Sequence, residues 1–308
     1  MTRKEIIGNI KGIFVPALTP FNRRGEIDLA AFRQNLRAYL KKGVGGVIVL
    51  GSTGETPYLT EREKLRLLEA ARAIIRPPQL LVAGTGLEST PQTIALSREA
   101  IARGADALLV LTPAYYKAYM NPAVLERHYQ TVADALRRPI LIYSIPQFTG
   151  IHMEPSTIGR LSKHENIAGL KESSGNTEFL QAILQRSHPK FRVLVGSPLI
   201  FVEALQAGAA GAILGNANYV PEVYVKIYDY FCRGEMEAAR KLQQRLEPAV
   251  REVNVRCGIA GIKYAADLCG YRGGAPRPPL LPLRPAERRM VAAAMKKAHI
   301  PLVPRGAV

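Results

Sequence analysis

The chain has 308 residues, 47% hydrophobic and 22% charged, a make-up that supports a sizeable folded core and excludes a disordered chain. A formal charge of +17, from 42 Lys+Arg against 25 Asp+Glu, raises nucleic-acid binding. The basic residues, however, are spread along polar helix faces, as at Arg62 to Arg66 and Lys226 to Lys241, with a second concentration from Arg272 to Arg289. A solvated surface that can attract small carboxylates is therefore the expectation, without a nucleic-acid partner.

Short apolar, β-branched runs alternate with helix-period segments from the first residues onward, the pattern of repeated βα units around a parallel sheet. The predicted strands are Gly12 to Ala17, Gly45 to Leu50, Leu80 to Ala83, Ala107 to Leu111, Ile140 to Tyr143, Ile167 to Lys171, Arg192 to Val195 and Ala212 to Leu214. Between them DLAAFRQNLRAYLKK, TEREKLRLLEAARAII and TPQTIALSREAIARG repeat apolar residues at three and four and begin on Asp or Thr caps. Eight such units predict an α/β fold of the closed (β/α)8 TIM-barrel type, which leaves no sheet edge exposed. A doubly wound open sheet is the alternative, but it needs a Gly-rich loop after its first strand, and Phe14 to Phe21 supplies a Pro-containing turn.

Further helices are expected at Pro221 to Cys232, Glu235 to Asn254 and Gly258 to Leu268. The Pro-rich connection GGAPRPPLLPLRP then leads to a last helix, Pro285 to His299. Residues 1–220 read as the barrel core and 221–308 as C-terminal helices packed on it within the same structural unit. The N-terminal MTRKEIIGNIKGIFVPALTP lacks a signal-peptide pattern, and no run approaches the ~18 apolar residues of a membrane helix. A cytoplasmic protein with no membrane partner is expected. Cys232, Cys257 and Cys269 form neither a disulfide framework nor a zinc pattern. His128, His152, His164, His188 and His299 are scattered and read as surface residues. Neither a metal nor a cofactor is expected.

In such a barrel, polar residues at the C-terminal ends of strands carry the chemistry. The second strand ends in Gly51-Ser52-Thr53-Gly54-Glu55, the fourth in Thr112-Pro113-Ala114-Tyr115-Tyr116, the fifth in Tyr143-Ser144-Ile145-Pro146 and the sixth in Lys171-Glu172-Ser173-Ser174-Gly175. An ammonium at the position of Lys171, partly dried by a barrel mouth, is shifted toward the free amine that attacks ketones. Taken alone, Lys171 reads more readily as a solvated strand-end lysine. Tyr143 on the adjacent strand suits proton transfer in the same space, or else the core. The GSTGE loop offers backbone N–H groups, two hydroxyls and close backbone approach to a small carboxylate or phosphate, though the same letters also make an ordinary turn. It lacks the Gly-Lys-Ser/Thr ending of a P-loop. Glu55 and Glu172 also fall at the mouth, Glu55 either as a cap or as a residue that holds the loop. Lys, Tyr and a hydroxyl-bearing Gly loop together form a constellation beyond what each predicts alone.

GSTGE, TPAYY, YSIP…TG and GLKESSG, in this order, resemble the family of dihydrodipicolinate synthase and N-acetylneuraminate lyase, the pyruvate-dependent class I aldolases. The resemblance runs from about Gly12 to His299. It implies a lyase with Lys171 as Schiff-base lysine, Tyr143 as general acid/base and Thr53 as ligand of the pyruvate carboxylate. It further implies that Ser52 links Tyr143 to Tyr115, with Tyr115 reaching a neighbouring subunit's site in a homotetramer built as a dimer of dimers. Gly51, Gly54, Ser173 and the backbone of Ile213 would line the pyruvate pocket. Pyruvate and an aldehyde or 2-oxo acid would be the small-molecule partners.

Within that family, dihydrodipicolinate synthases carry Arg in an Asn-Val-Pro-Ser-Arg-Thr-Gly run. Here the run is Ser144-Ile145-Pro146-Gln147-Phe148-Thr149-Gly150, and Phe148 cannot grip a carboxylate. The stretches LLVAGTGLEST, YSIPQFTG and CGIAGIKYAADLCGYRGGAPRPPL are more similar to 4-hydroxy-2-oxoglutarate aldolase, which releases pyruvate and glyoxylate. Dihydrodipicolinate synthase, condensing pyruvate with aspartate semialdehyde, and N-acetylneuraminate lyase or another 2-keto-3-deoxy acid aldolase remain the alternatives. Outside this chemistry stand a basic nucleic-acid-binding barrel and a binding protein without turnover.

Overall fold

The computed structural model of the protein describes residues 1–303; the last five positions of the 221–308 segment lie outside the described residues. Strands β1 (Gly12–Pro16), β2 (Gly46–Val49), β3 (Leu80–Gly84), β4 (Ala107–Leu111), β5 (Ile140–Ser144), β6 (Ile167–Glu172), β7 (Arg192–Val195) and β8 (Gly211–Ile213) pair in sequence order into a closed parallel barrel. The predicted strands differ from these by a residue or so at their ends. β5 and β6 each run one residue further than their sequence pattern, because backbone pairing continues through Ser144 and Glu172 after the apolar run has ended.

Side-chain alternation divides the sheet into two faces. Phe14, Ile48, Val82, Leu109, Leu141, Ala168, Leu194 and Ile213 fill the interior, with Ile6 from the helix Arg3–Asn9 and Ile10 at its C-cap. Leu170, Ile142, Val110, Val195 and their outward-facing neighbours join the larger core between sheet and helices. At ~0.8 kcal/mol per buried CH2 group, these two layers supply the main stabilising force of the fold.

The helices begin where the sequence caps them. Asp28 accepts the Ala31 N–H at 2.9 Å ahead of Leu29–Leu40. Thr60 and Glu63 make a reciprocal capping box ahead of Glu61–Arg72, with bonds of 3.3 and 2.8 Å. The predicted continuous helix Glu235 to Asn254 is instead divided. It is α-helical over Met236–Ala249 and π-helical over Val250–Arg256, and Pro248, which lacks an N–H, sits at the junction. The final helix, Pro285–Lys297, stops short of the predicted end, and His299 turns to φ 52° beyond it.

One histidine departs from the surface expectation. His128, on the helix Pro122–Ala135, is 6% exposed, with its Nδ1 2.8 Å from Thr90 Oγ1 and its ring against Tyr129. The pattern of that helix places it on the apolar face beside Leu125, Tyr129 and Val132, and the Thr90 hydroxyl satisfies one ring nitrogen. Burial lowers its pKa from 6.5 to about 4. The folded state therefore keeps His128 neutral while the unfolded chain takes up a proton, so its contribution is fully present above pH 6.5 and is lost as the pH falls toward 4. Urea denaturation at pH 7 and pH 4.5 should show a smaller acid loss in His128→Gln than in the unmodified protein, by about 2 kcal/mol.

Candidate active site

Parallel register sets Tyr143 of β5 directly beside Lys171 of β6. Both side chains turn inward at the C-terminal end of the barrel, where Lys171 is 5% exposed and its Nζ lies 4.0 Å from the centroid of the Tyr143 ring. An ammonium over an aromatic face is attracted by the ring quadrupole. The Tyr143 hydroxyl lies 3.4 Å from Ser52 Oγ in the loop after β2. An amine, a phenol and an alcohol are thus chained within one half-dry pocket mouth.

The GSTGE loop enters through a backbone reversal at Leu50, φ 64°, continues as a 3-10 turn over Ser52–Gly54, and leaves through Glu55 in the left-handed region, φ 58°. Conformations of that kind in non-glycine residues cost free energy and persist only where surrounding contacts enforce them. A Cβ at Gly54 would approach the Ala17 carbonyl oxygen to 2.9 Å, so this position requires glycine, whereas one at Gly51 would meet only ordinary contacts. Thr19 Oγ1 donates to the Gly54 carbonyl at 2.7 Å. Thr53 Oγ1 faces Gly215, just past β8, across 4.0 Å from a Cβ built there. Asn254 Nδ2 and Ile262 Cδ1 crowd that same Cβ position at 3.2 and 3.1 Å. The π-helical turn thereby brings a polar amide to the rim, a feature no sequence motif announced.

The enforcing contact on Glu55 comes from far along the chain. Lys263, on the helix Gly258–Leu268, donates to Glu55 Oε1 at 2.5 Å and to the Thr19 carbonyl at 2.9 Å, with both charged side chains out of contact with water. Arg277 completes the arrangement. Its backbone N–H donates to Glu55 Oε2 at 2.7 Å, and its guanidinium grips Glu63 through two bonds of 2.7 and 2.9 Å. That contact holds the Glu63 carboxyl down at about 2. Of the two roles open to Glu55, the structure gives it the loop-holding one, and the cap belongs to Glu63. Lys263 and Arg277 were not singled out as candidates. Lys263 had one sequence signal, a lone lysine on the apolar face shared by Gly261, Ile262, Ala265 and Ala266.

At the end of β6, Ser173 Oγ is buried without a hydrogen-bond partner, and a Cβ on Gly196 would overlap it at 2.0 Å. Glu172 alternates to the outer face, level with Ser144. Its Oε1 accepts the Ser174 N–H at 2.6 Å, its Oε2 has no partner, and burial raises its pKa. Ile213 lines the interior wall next to Phe14. On the short helix Pro146–Thr149, Gln147 Nε2 donates to the Ser173 carbonyl at 2.7 Å, while Phe148 projects outward, 66% exposed. Tyr115 stands apart from Ser52 within the chain. It is 78% exposed, its ring meets Tyr116 edge-on, and its N–H donates to Glu88 Oε2 at 2.8 Å. Among the described residues no cluster of His, Cys, Asp and Glu has the make-up of a metal site, and no helix is long and apolar enough to cross a membrane.

The model of the dihydrodipicolinate synthetase family matches residues 9–298. The chain belongs to that family. It is accordingly a lyase of the class I, Schiff-base type, a pyruvate aldolase or synthase that acts on small molecules. The 4-hydroxy-tetrahydrodipicolinate synthase of Geobacter metallireducens is 32% identical over 94% of this chain and 99% of its own. The protein named "Probable 4-hydroxy-2-oxoglutarate aldolase, mitochondrial" from Emericella nidulans is 34% identical over 94% of each. The structure of a prophage protein of the dihydrodipicolinic acid synthase family from E. coli K12, in complex with pyruvate, superposes with a TM-score of 0.88 at 27% identity. It covers 94% of this chain and 99% of that one.

The buried pair generates a stability test within this family frame. Removing one partner of a desolvated ion pair leaves the other charge uncompensated, at a cost of about 3–5 kcal/mol. Glu55→Gln should lower the unfolding free energy by that amount in urea titration, and adding Lys263→Met should recover part of the loss.

Proposed function

We propose that the protein cleaves 4-hydroxy-2-oxoglutarate to pyruvate and glyoxylate, and runs the reverse condensation, through a Schiff base on Lys171. The observation that carries the reading is the Lys171–Tyr143–Ser52 chain, with Nζ 4.0 Å from the tyrosine ring and the hydroxyls 3.4 Å apart. Lys171 Nζ adds to C2 of the oxo acid, and water leaves to give an iminium. In cleavage, Tyr143 takes the proton of the C4 hydroxyl, the C3–C4 bond breaks toward the iminium, and glyoxylate departs. The remaining enamine is protonated at C3, and hydrolysis returns pyruvate and the free amine. Thr53 and the N–H groups of the GSTGE turn hold the pyruvate carboxylate, with Gly51, Gly54, Ser173 and Ile213 around it.

Tyr115 enters this reading across a subunit boundary. Its exposure, shared with Tyr116 and Tyr119, leaves an aromatic patch of the kind that subunit contacts cover. The proposal is a homotetramer assembled from dimers, with Tyr115 of one chain completing the Ser52–Tyr143 relay of the next. Residues 1–220 provide the barrel and 221–308 the helices of the same unit, and the Glu55–Lys263 contact supports treating them together.

A second reading has its own support, since the Geobacter relative is named a 4-hydroxy-tetrahydrodipicolinate synthase. Against it stands Phe148, which offers no donor to the carboxylate of aspartate semialdehyde. With pyruvate as donor, glyoxylate should give the higher kcat/KM and aspartate semialdehyde the lower; the opposite order would favour the synthase. Phe148→Arg should move the ratio toward the semialdehyde.

The covalent step has a direct test. Pyruvate with borohydride should inactivate the protein irreversibly and add a reduced pyruvyl group at Lys171 in peptide mapping. Lys171→Ala should abolish labelling, and Tyr143→Phe should keep binding while slowing turnover by about two to four orders of magnitude. Absence of the adduct with any 2-oxo acid would remove Lys171 from the reaction.

A further inference from the structure

A cavity lies at the end of the barrel opposite Lys171, beneath the N-termini of β6 and β7. It measures about 740 Å3, within the range of small-molecule sites. Ile7, Ile167, Ala168 and Phe191 give it an apolar floor. Cations surround that floor: Arg3 and Lys4 from the first helix, Lys163 from the turn before β6, and Lys190 with Arg192 at the entry to β7. The acidic lining residue is Glu165, which Arg3 already engages at 3.3 Å.

Apart from Arg3, the cations of this cavity lack counter-charges. Among the described residues no carboxylate pairs with Lys4, Lys163, Lys190 or Arg192. The Nε atoms of Arg3 and Arg192 are both shut off from water without an acceptor. The ionisable group that faces Arg192 is the phenol of Tyr228, pushed up to about 12 by burial and so uncharged at neutral pH. His188 adds a donor, since its Nδ1 accepts the Lys190 N–H at 3.2 Å and leaves Nε2 to carry the ring proton. Buried guanidinium N–H donors without an acceptor are costly, and such donors are normally satisfied. One carboxylate would neutralise only part of this charge, whereas a phosphate or diphosphate brings more charge and several acceptor oxygens in the geometry that arginine grips.

We propose that this cavity binds a small molecule with a phosphate or diphosphate group on an apolar body. The phosphate lies among Arg3, Lys190 and Arg192, and the body rests on Ile7 and Phe191. Because the strand N-termini lie away from the catalytic end, the ligand occupies a site separate from that of the substrate.

Isothermal titration calorimetry of the intact protein with adenosine 5′-diphosphate, inorganic pyrophosphate and adenosine tests this directly. The diphosphate nucleoside should bind at least tenfold more tightly than either other probe. Lys163→Glu with Lys190→Glu, both at exposed positions, should weaken it at least tenfold with unchanged thermal unfolding. Saturating pyruvate and Lys171→Ala should leave the affinity unchanged, which separates this site from the aldolase site whatever the fate of that assignment. No binding of either phosphorylated probe, affinity indifferent to the two glutamates, or competition by pyruvate would overturn the proposal. Equal affinities for pyrophosphate and the nucleotide would overturn the role given to the apolar floor.

Discussion

Parallel pairing of the fifth and sixth strands is the constraint on which the chemistry rests. Register places Tyr143 beside Lys171, and the two-residue period of a strand sends both side chains to the same face. A slip of one residue in either strand would put one of them among the packed helices and leave a charge or a phenol without its neighbour. Barrel closure enforces the register, since each strand is held on both sides, and the interior layer of Leu141, Ala168 and Leu194 below the pair leaves no room for an alternative fit.

Above that pair, the GSTGE loop is held by charge instead of by strand pairing. Glu55 occupies a left-handed conformation that few side chains adopt, and it does so with one carboxylate oxygen on Lys263 and the other on the Arg277 backbone. Burial, helped by the nearby Arg277 charge, drives the Lys263 pKa down, and the adjoining carboxylate opposes that shift. The two effects together explain why a fully desolvated lysine is tolerated where the sequence pattern calls for an apolar residue. The Gly54 backbone, pressed against the Ala17 carbonyl, completes the same anchorage.

Much of this was legible in the sequence because its signals are local. Alternating apolar runs and capped helical segments located the eight strands, and the polar residues after them carried the pattern of the family. Lys171, Tyr143 and Ser52 lie together as read. What escaped the sequence depends on contacts distant along the chain or on backbone detail. His128 is buried on the apolar face of its helix, where Thr90 satisfies one ring nitrogen. The helix after Glu235 changes to π geometry at Val250, just past Pro248, and so carries Asn254 to the rim. Lys263 and Arg277 meet Glu55 only when the chain has closed on itself. Periodicity marks a face as buried but says nothing about which charge waits on the other side.

The clamp on Glu55 also limits how far the GSTGE loop can be treated as a module. Its five letters look transplantable, yet the shape they adopt is specified by a partner 208 positions downstream. Grafting GSTGE onto another barrel would transfer the hydroxyls without the geometry, and trimming the C-terminal helices from this one would release the loop while leaving Lys171, Tyr143 and Ser52 in the chain. Designers who borrow this site would have to carry both ends of the chain, and drift at Lys263 or Arg277 would be felt at Ser52 and Thr53 before it was felt in the barrel.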